Sequence, residues 1–291
     1  ETTSYTYDKA GRRTGMNSGN REVRYVYGKA GELVSINDNK QRLSVSYTYD
    51  SLYRETERVF GNGVVQKTQY TVTGQTELIT EVNARGELLR SEGYVYDEGG
   101  RRIYTITEKG QLTHYIYDAQ SRLSNVLYPY TEEKKQADQK EAEEEGVHYL
   151  EGNVKPENIF LSLDEKALIV PLLEKIGWGR SSYLTTTQVL WQETYTYDEN
   201  GNRTSKTTPF GTIRYWYDKE NRLTHSGSDE GRGSDYTYDA NGNLLTKTNL
   251  YKTEEYEYNL ANRMKKSEVT DHIKKTHTIS HYDYDAFGRR T

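Results

Sequence analysis

The stretch YTYDKAGRR, residues 5–13, decides the fold, because variants of it recur along most of the chain. Ten copies contain the pair Tyr-x-Tyr, and an eleventh, degenerate copy covers residues 80–88. At six of the steps, neighbouring copies start 20 to 22 residues apart. The pairs are Tyr5/Tyr7, Tyr25/Tyr27, Tyr47/Tyr49, Tyr94/Tyr96, Tyr115/Tyr117, Tyr195/Tyr197, Tyr215/Tyr217, Tyr236/Tyr238, Tyr256/Tyr258 and Tyr282/Tyr284. Spacing this regular predicts a repeat architecture.

Each repeat has the local chemistry of a β-hairpin. Alternate residues of a strand point to the same face, so both tyrosine rings project together. Asp favours the first position of a type I turn, and Gly at the fourth position allows a left-handed bulge into the next strand. The residues that we expect to build these hairpins include Tyr5, Tyr7, Asp8, Gly11, Tyr94, Tyr96, Asp97, Gly100, Tyr195, Tyr197, Asp198, Gly201, Tyr236, Tyr238, Asp239 and Gly242.

The fourth turn position is not always glycine. Asn221 and Asn262 replace it in two copies, and asparagine tolerates the left-handed conformation well. Tyr53 and Ser121 depart from the rule, so the turns at these two positions are the least defined by sequence.

The composition lacks the usual aliphatic core. The chain has 291 residues, of which 33% are hydrophobic and 28 are tyrosine, against only 4 phenylalanines. A typical globular domain is about 45–50% apolar. We therefore expect tyrosine rings to stack across neighbouring strands and to replace a central core by contacts between successive repeats.

Composition also excludes several classes of function. No run of about 18 apolar residues is present, which excludes a membrane-spanning helix. The absence of cysteine removes disulfides and thiolate chemistry, and a net charge of −5 argues against a nucleic-acid partner. We expect no cofactor. Because the chain begins with Glu1 and shows no signal peptide, we expect it to be a piece of a longer polypeptide.

The repeat resembles the tyrosine-aspartate (YD) repeat of the Rhs, teneurin and insecticidal toxin-complex families. The resemblance covers residues 1–127 and 191–291. It implies an all-β fold in which antiparallel hairpins form a long curved or spiral sheet, the YD-repeat shell. In bacterial members such a shell encloses a C-terminal toxin, and in teneurins it belongs to a cell-surface adhesion protein. The proline-rich plug and self-cleaving aspartates of Rhs cores have no counterpart before Thr291, so we expect cleavage and payload to lie elsewhere.

Residues 128–190 interrupt the repeats and define a third segment between them. The charged stretch from Thr131 to Gly146 predicts a solvated helix, with disorder as the competing interpretation. Residues 164–176 predict an amphipathic helix capped by Asp164 and kinked or split at Pro171. This second helix of the partly helical insertion would pack on the outer sheet surface, plug an opening or dock a partner.

We find no convincing catalytic or metal-binding motif. Residues 155–161 resemble a kinase catalytic loop, but Asn153 stands where the catalytic aspartate belongs. We attribute the repeat aspartates to turn capping, because a repeat gives each carboxylate the same environment, whereas catalytic pairs need two different ones.

The leading hypothesis is a non-enzymatic shell scaffold from a large secreted or cell-surface protein. Its partners would be the rest of the parent polypeptide, including a C-terminal toxin payload. The alternative is an adhesion module that binds glycans or surface proteins through exposed aromatic residues. Trp178, Trp191 and Trp216 are the candidate glycan contacts, although ring-on-ring stacking within the protein is the simpler explanation of such residues.

Overall fold

The computed structural model describes residues 2–40, 43–149, 157–159, 163–176, 188–229, 232–285, 288 and 290. Trp178 and most of the kinase-like stretch lie outside these residues. The described chain is mostly β-strand with two helices, which confirms the expected fold class of repeated antiparallel hairpins with a partly helical insertion. It divides into two compact units, Glu1–His114 with Phe160–Thr186, and Tyr115–Ile159 with Thr187–Thr291.

The first unit is a ladder in which each strand pairs antiparallel with its neighbours in sequence. Its strands are β1 (Thr3–Tyr7), β2 (Arg13–Ser18), β3 (Arg21–Tyr27), β4 (Leu33–Asp38), β5 (Val45–Tyr49), β6 (Glu55–Phe60), β7 (Val65–Tyr70), β8 (Thr76–Val82), β9 (Leu88–Tyr96) and β10 (Arg102–Thr107). Strand β11 (Leu112–Tyr117) contains the division between the units, and its first residues pair with β10.

The second unit is built in the same way. Its strands are β12 (Leu123–Pro129), β13 (Glu157–Ile159), β14 (Gln188–Tyr197), β15 (Arg203–Thr208), β16 (Gly211–Tyr217), β17 (Leu223–Gly227), β18 (Gly233–Tyr238), β19 (Leu244–Thr248), β20 (Lys252–Tyr258), β21 (Met264–Asp271) and β22 (Thr276–His281). Strand β14 pairs with β12, β13 and β15, and from β14 onward each strand pairs with the next.

A register shift recurs at the end of the first strand of most repeats. In the β1–β2 hairpin it falls between Thr6 and Tyr7, and in the β3–β4 hairpin between Val26 and Tyr27. The shift leaves one extra residue after the turn, as expected where a left-handed residue ends a type I turn. The second tyrosine of each pair therefore lies beside a bulge.

Helix α1 (Glu132–Glu144) begins and ends where the sequence predicts. The Thr131 side chain accepts a hydrogen bond from the Lys134 backbone, and Gly146 adopts φ 68° just beyond the helix. The expectation of a solvated helix holds for only part of its surface, because Asp138 and Ala142 are buried against the sheet. Charge compensation by strand residues, which sequence periodicity cannot reveal, turns this polar helix into a packed element.

Helix α2 (Leu163–Ile176) runs through Pro171 without interruption, so it is not split. Asp164 lies inside the helix and is not its cap. The helix packs on β9 in the first unit, where the Leu172 side chain contacts the backbone at Gly93. A Cβ at Gly93 would lie 2.6 Å from a Leu172 methyl carbon, so glycine is needed for this close approach.

Two apolar clusters form where the helices meet the strands, which corrects the expectation that no conventional core exists. The first unit buries Leu78, Tyr104, Ile106, Leu112, Ile169, Leu172 and Leu173 together. The second unit buries Ala142, Val147, Trp191, Phe210 and Ile213. Burial of such side chains contributes about 1.5–3 kcal/mol each. None of the helices among the described residues is long and apolar enough to cross a membrane.

Candidate functional site

The repeating turn is the first candidate functional element, and Asp8 shows its geometry. Its Oδ1 accepts hydrogen bonds from the backbone N–H groups of Ala10 and Arg12, both at 2.9 Å. Its Oδ2 accepts from Nε of Arg12 at 2.7 Å. The bond from the Arg12 backbone is the largest of the effects that hold the pKa of Asp8 below its usual value. The same arrangement recurs at Asp50, Asp97, Asp118 and Asp218.

Asparagine replaces either partner without loss of the geometry. Asn202 and Asn243 donate to Asp198 and Asp239 through both the backbone N–H and the side-chain amide. Asn259 takes the place of the aspartate and accepts from the backbone of Arg263. The carboxylates of the repeat are therefore turn caps, each satisfied by its own loop.

The fourth turn position is left-handed even where its residue departs from the motif. Gly11 has φ 77°, and Asn221 and Asn262 have φ 60° and 56°. Tyr53 and Ser121 adopt φ 58° and 62° as well. The capped turn therefore imposes this conformation on residues that rarely adopt it.

A hydroxyl clamp connects successive repeats. The second tyrosine of one repeat donates its hydroxyl proton to a backbone carbonyl just after the turn of the preceding repeat, as Tyr27 does to Arg13 at 2.9 Å. The same bond joins Tyr49 to Leu33, Tyr70 to Glu55, Tyr96 to Thr76, Tyr197 to Leu123, Tyr217 to Arg203, Tyr238 to Leu223 and Tyr284 to Met264. The clamp depends on the bulge, because its acceptor carbonyl belongs to the first residue of the returning strand, where the register shift occurs.

Several tyrosine rings stack on arginine side chains. The sequence predicts that tyrosine rings stack directly on one another, but here an arginine lies between the rings of neighbouring strands. The guanidinium of Arg13 lies 5.6 Å from the ring centre of Tyr5 and 4.7 Å from that of Tyr25. Arg203 bridges Tyr195 and Tyr215 at 5.6 and 4.6 Å. An arginine between two rings contributes both packing and cation–π attraction, about 0.5–1 kcal/mol at exposed sites.

One repeat escaped the search for Tyr-x-Tyr. Tyr70 makes the hydroxyl clamp, Thr71 accepts from the backbone of Gln75, and Gly74 has φ 90°. The pair is Thr68 and Tyr70, so threonine replaces the first tyrosine and Thr71 replaces the aspartate. The signal that would have found it is Tyr followed by a capping residue with Gly three positions later.

The second candidate element is a buried ionic cluster between α1 and the strands of its unit. Nζ of Lys134 lies 2.8 Å from Oδ1 of Asp138 and also donates to Glu193. Nζ of Lys206 lies 3.1 Å from Glu193 and 2.6 Å from Glu141. Asp138 and Glu193 are each only 2% exposed, so the two lysines neutralise carboxylates that water cannot reach.

The cluster sets the protonation state of its members. Burial alone would raise the pKa of Glu193, but bonds from Lys134 and Tyr195 and the charge of Lys206 lower it to about 2. Burial likewise would lower the pKa of Lys206, yet the surrounding carboxylates raise it. Burial and the Glu193 charge raise the pKa of Tyr128 to about 12. The lowered pKa of Glu193 and the raised pKa of Lys206 keep both of these groups charged at neutral pH.

The C-terminal end of α1 is fixed by a third contact. Glu145 is 9% exposed, and its two oxygens accept hydrogen bonds from the hydroxyls of Ser226 at 2.7 Å and Ser234 at 3.0 Å. Its carbonyl also accepts from the Ser228 backbone. Helix α1 is thus bonded to strands of its own unit at both ends.

The candidate glycan contacts do not form one surface. Trp191 is 1% exposed, packs against Phe210 and donates its indole N–H to Asp138, so it cannot stack on a ligand. This corrects the prediction for Trp191. Trp216 is 41% exposed and lies 5.0 Å from the ring of His225. Trp178 lies outside the described residues. Among the described residues, no group of three His, Asp or Glu side chains is placed to hold a metal ion.

Comparison with a family model connects this geometry to a known class. Residues 179–291 match the model described as Teneurin YD-shell. This match and the solved structures below confirm the YD-repeat resemblance of the sequence. A search of curated proteins found no match.

Solved structures share the fold over nearly the whole chain. The crystal structure of TcdB2-TccC3-TEV is 13% identical with a TM-score of 0.59, and covers 99% of this chain and 14% of its own. A mutant Photorhabdus luminescens Tc holotoxin pore is 16% identical with a TM-score of 0.59, and covers 97% of this chain and 14% of its own. At such identities the likeness shows the fold. The chain spans only a seventh of the length of these solved chains.

Proposed function

We propose that this chain is a wall segment of a protein container within a larger secreted or cell-surface polypeptide, and that the container encloses a toxin payload carried by the same polypeptide. The observation that carries the proposal is the hydroxyl clamp, because each of its bonds ties one repeat to the repeat before it. A wall made of such repeats needs no second layer to hold its hairpins in register.

The polar groups of the repeat serve this structural role. The aspartates cap their own turns, and several tyrosine rings stack on an arginine of a neighbouring turn, as the ring of Tyr27 does on Arg12 at 4.7 Å. These contacts leave the repeat carboxylates engaged in structure. The proposal is therefore of a non-enzymatic scaffold.

Limited proteolysis of the polypeptide, expressed with its natural flanking sequence, tests the proposal. We expect the shell and the enclosed segment to survive protease concentrations that digest the same polypeptide after denaturation. Cleavage of the enclosed segment at equal rates before and after denaturation would overturn encapsulation. If the shell alone resisted the protease, the scaffold role would still stand.

A second candidate is glycan binding at Trp216. Its ring is partly exposed, and the neighbouring His225 is hydrogen-bonded to Asp235 at 2.7 Å, so an aromatic face lies beside polar groups. This combination suits a sugar ring, which presents both apolar and hydroxyl surfaces. A glycan array tests it, and Trp216→Ala must abolish any signal; an array without signal would contradict the candidate.

A further inference from the structure

A cavity of about 670 Å³ lies in the second unit beside the C-terminal end of α1. Its volume falls in the range of about 300–1,000 Å³ typical of small-ligand sites. The cavity lies between the segment that follows α1 and the loops at the ends of β17–β18 and β19–β20. Its carboxylate, arginine and tyrosine lining residues are Glu143, Glu144, Tyr149, Arg232, Asp235 and Tyr251.

The lining carries an excess of negative charge. Three carboxylates face one guanidinium, and Arg232 directs its Nη1 to Nε2 of His148. Among the described residues, Glu143 forms no ion pair, and Asp235 has only His225, whose Nδ1 lies 2.7 Å from its Oδ1. Within the part of the chain that the structure describes, Glu144 pairs only with Lys140, at 3.9 Å. The carboxylates of the cavity are therefore largely uncompensated.

The helix adds to this potential. The C-terminal end of an α-helix carries a partial negative charge, which a basic residue in the last turn usually offsets. The last turn of α1 has no basic residue and instead contains Glu143 and Glu144. The end of the helix and the carboxylates beside it thus both make the electrostatic potential in the cavity more negative, which favours a cation there.

The aromatic residues supply a surface on which a cation can stack. The ring of Tyr149 is held edge-on against Phe210 at 4.7 Å, and its hydroxyl donates to Oε1 of Glu143 at 2.9 Å. Tyr251 lines the cavity, and the neighbouring Leu250 is 78% exposed. Aromatic faces bind ammonium and guanidinium groups, and an exposed leucine suits an apolar stem.

We propose that this cavity binds an organic cation, an ammonium or guanidinium group on a short apolar stem. Such a group is offered by a free polyamine and by a lysine or arginine side chain of another polypeptide. The site requires charge, aromatic contact and volume together, so a simple metal cation does not satisfy it.

Calorimetric titration of the full chain at low ionic strength tests the proposal. The probes are spermidine and the capped peptide Gly-Arg-Gly, with sodium chloride as the matched control. Saturable binding of either probe supports the site, and the tighter probe identifies the source of the cation. Binding should weaken as salt is added, because partly exposed charges are screened.

Variants separate this cavity from nonspecific attraction to an acidic protein. We expect Glu144→Gln combined with Asp235→Asn to weaken binding by about tenfold. Glu98→Gln, which removes the same kind of charge in a turn of the first unit, should leave it unchanged. Circular dichroism checks that the variants fold. Absence of saturable binding by both probes, or equal binding by the double variant and the wild-type chain, would overturn the proposal.

Discussion

The carboxylate of Glu32 lies beside Gly28, in the place where other turns hold an aspartate side chain. A Cβ on Gly28 would be 2.0 Å from Oε1 of Glu32. Oε2 of Glu32 accepts a hydrogen bond from the Ala30 backbone at 3.0 Å, which matches the bond from Ala10 to Asp8 in the first repeat. The turn thus keeps its carboxylate although the residue that supplies it has moved four positions along the chain.

This exchange predicts that Gly28→Asp destabilises the chain, although it restores the consensus. The new carboxylate would meet that of Glu32, and we expect a cost of about 1–3 kcal/mol from overpacking and like charge. Adding Glu32→Arg should recover the loss, because the pair then matches Asp8 and Arg12. Urea unfolding measures both. Equal stability of the single variant and the wild-type chain would show that the two carboxylates do not compete.

The hydroxyl clamp can be tested within one strand. Tyr27→Phe removes the bond to the carbonyl of Arg13, and we expect a loss of about 0.5–1.5 kcal/mol. Tyr25→Phe is the matched control, because its hydroxyl has no hydrogen bond among the described residues. Hydrogen exchange of the amides in β2 and β3 reports the change locally. If both variants exchange alike, the clamp contributes nothing.

The ionic cluster predicts unequal effects of two lysines. Lys206→Ala leaves Asp138 and Glu193 with less compensation in a buried site, and we expect a loss of about 3–5 kcal/mol. Lys140→Ala removes a side chain that is 74% exposed, and we expect a change within about 0.5 kcal/mol. Thermal unfolding followed by circular dichroism measures the difference. Similar melting of the two variants would contradict a stabilising role of the cluster.

Acid should release α1 over a defined pH range. The pKa of Glu193 is lowered from 4.5 to about 2 by Lys134, Tyr195 and Lys206 against the effect of burial. A depressed carboxyl pKa stabilises the folded state above the unfolded value, so this contribution is lost as the pH falls from about 4.5 to 2. Stability measured across this range should fall more steeply in the wild-type chain than in Glu193→Gln. Parallel curves would show that another group dominates.

Alkaline titration should separate buried from exposed tyrosines. Burial is the main cause that raises the pKa of Tyr94, Tyr128 and Tyr215 to about 12. A raised tyrosine pKa stabilises the folded state below the unfolded value of 10, and this contribution is lost as the pH rises through about 12. Tyrosinate absorbance should therefore rise in two stages. A single stage near pH 10 in the folded protein would contradict the burial of these hydroxyls.

The hairpins and their turns follow from local chemistry, so the sequence predicts them well. Period-two tyrosines and Asp8 with Gly11 fix a strand and a turn without long-range information. The sequence motif does not reveal that Glu32 replaces the missing aspartate at Gly28. The carboxylate keeps its place in the turn, but the residue that supplies it lies four positions later in the chain. Tyr70 was missed for the same kind of reason, since Thr71 performs the capping role of aspartate.

Long-range compensation explains the remaining errors. The sequence of α1 is polar on every side, and only its contacts with Lys206 and Glu193 show why one side is buried. The prediction that tyrosine rings stack on one another also differs from the structure, where arginines lie between the rings. Arg13 lies in the returning strand, and its position between Tyr5 and Tyr25 depends on pairing of three strands.

Because every clamp points backward along the chain, a hairpin is completed only when its successor arrives. During synthesis on the ribosome, each hairpin would therefore lack its clamp for the time needed to make roughly 20 more residues. At 5–20 residues per second this takes about 1–4 s. For the same reason, inherited insertion or deletion of a whole repeat would preserve the clamps between the remaining repeats. Insertion or deletion of part of a repeat would leave one tyrosine hydroxyl and one carbonyl without their hydrogen bond. The length of such a protein can therefore change in steps.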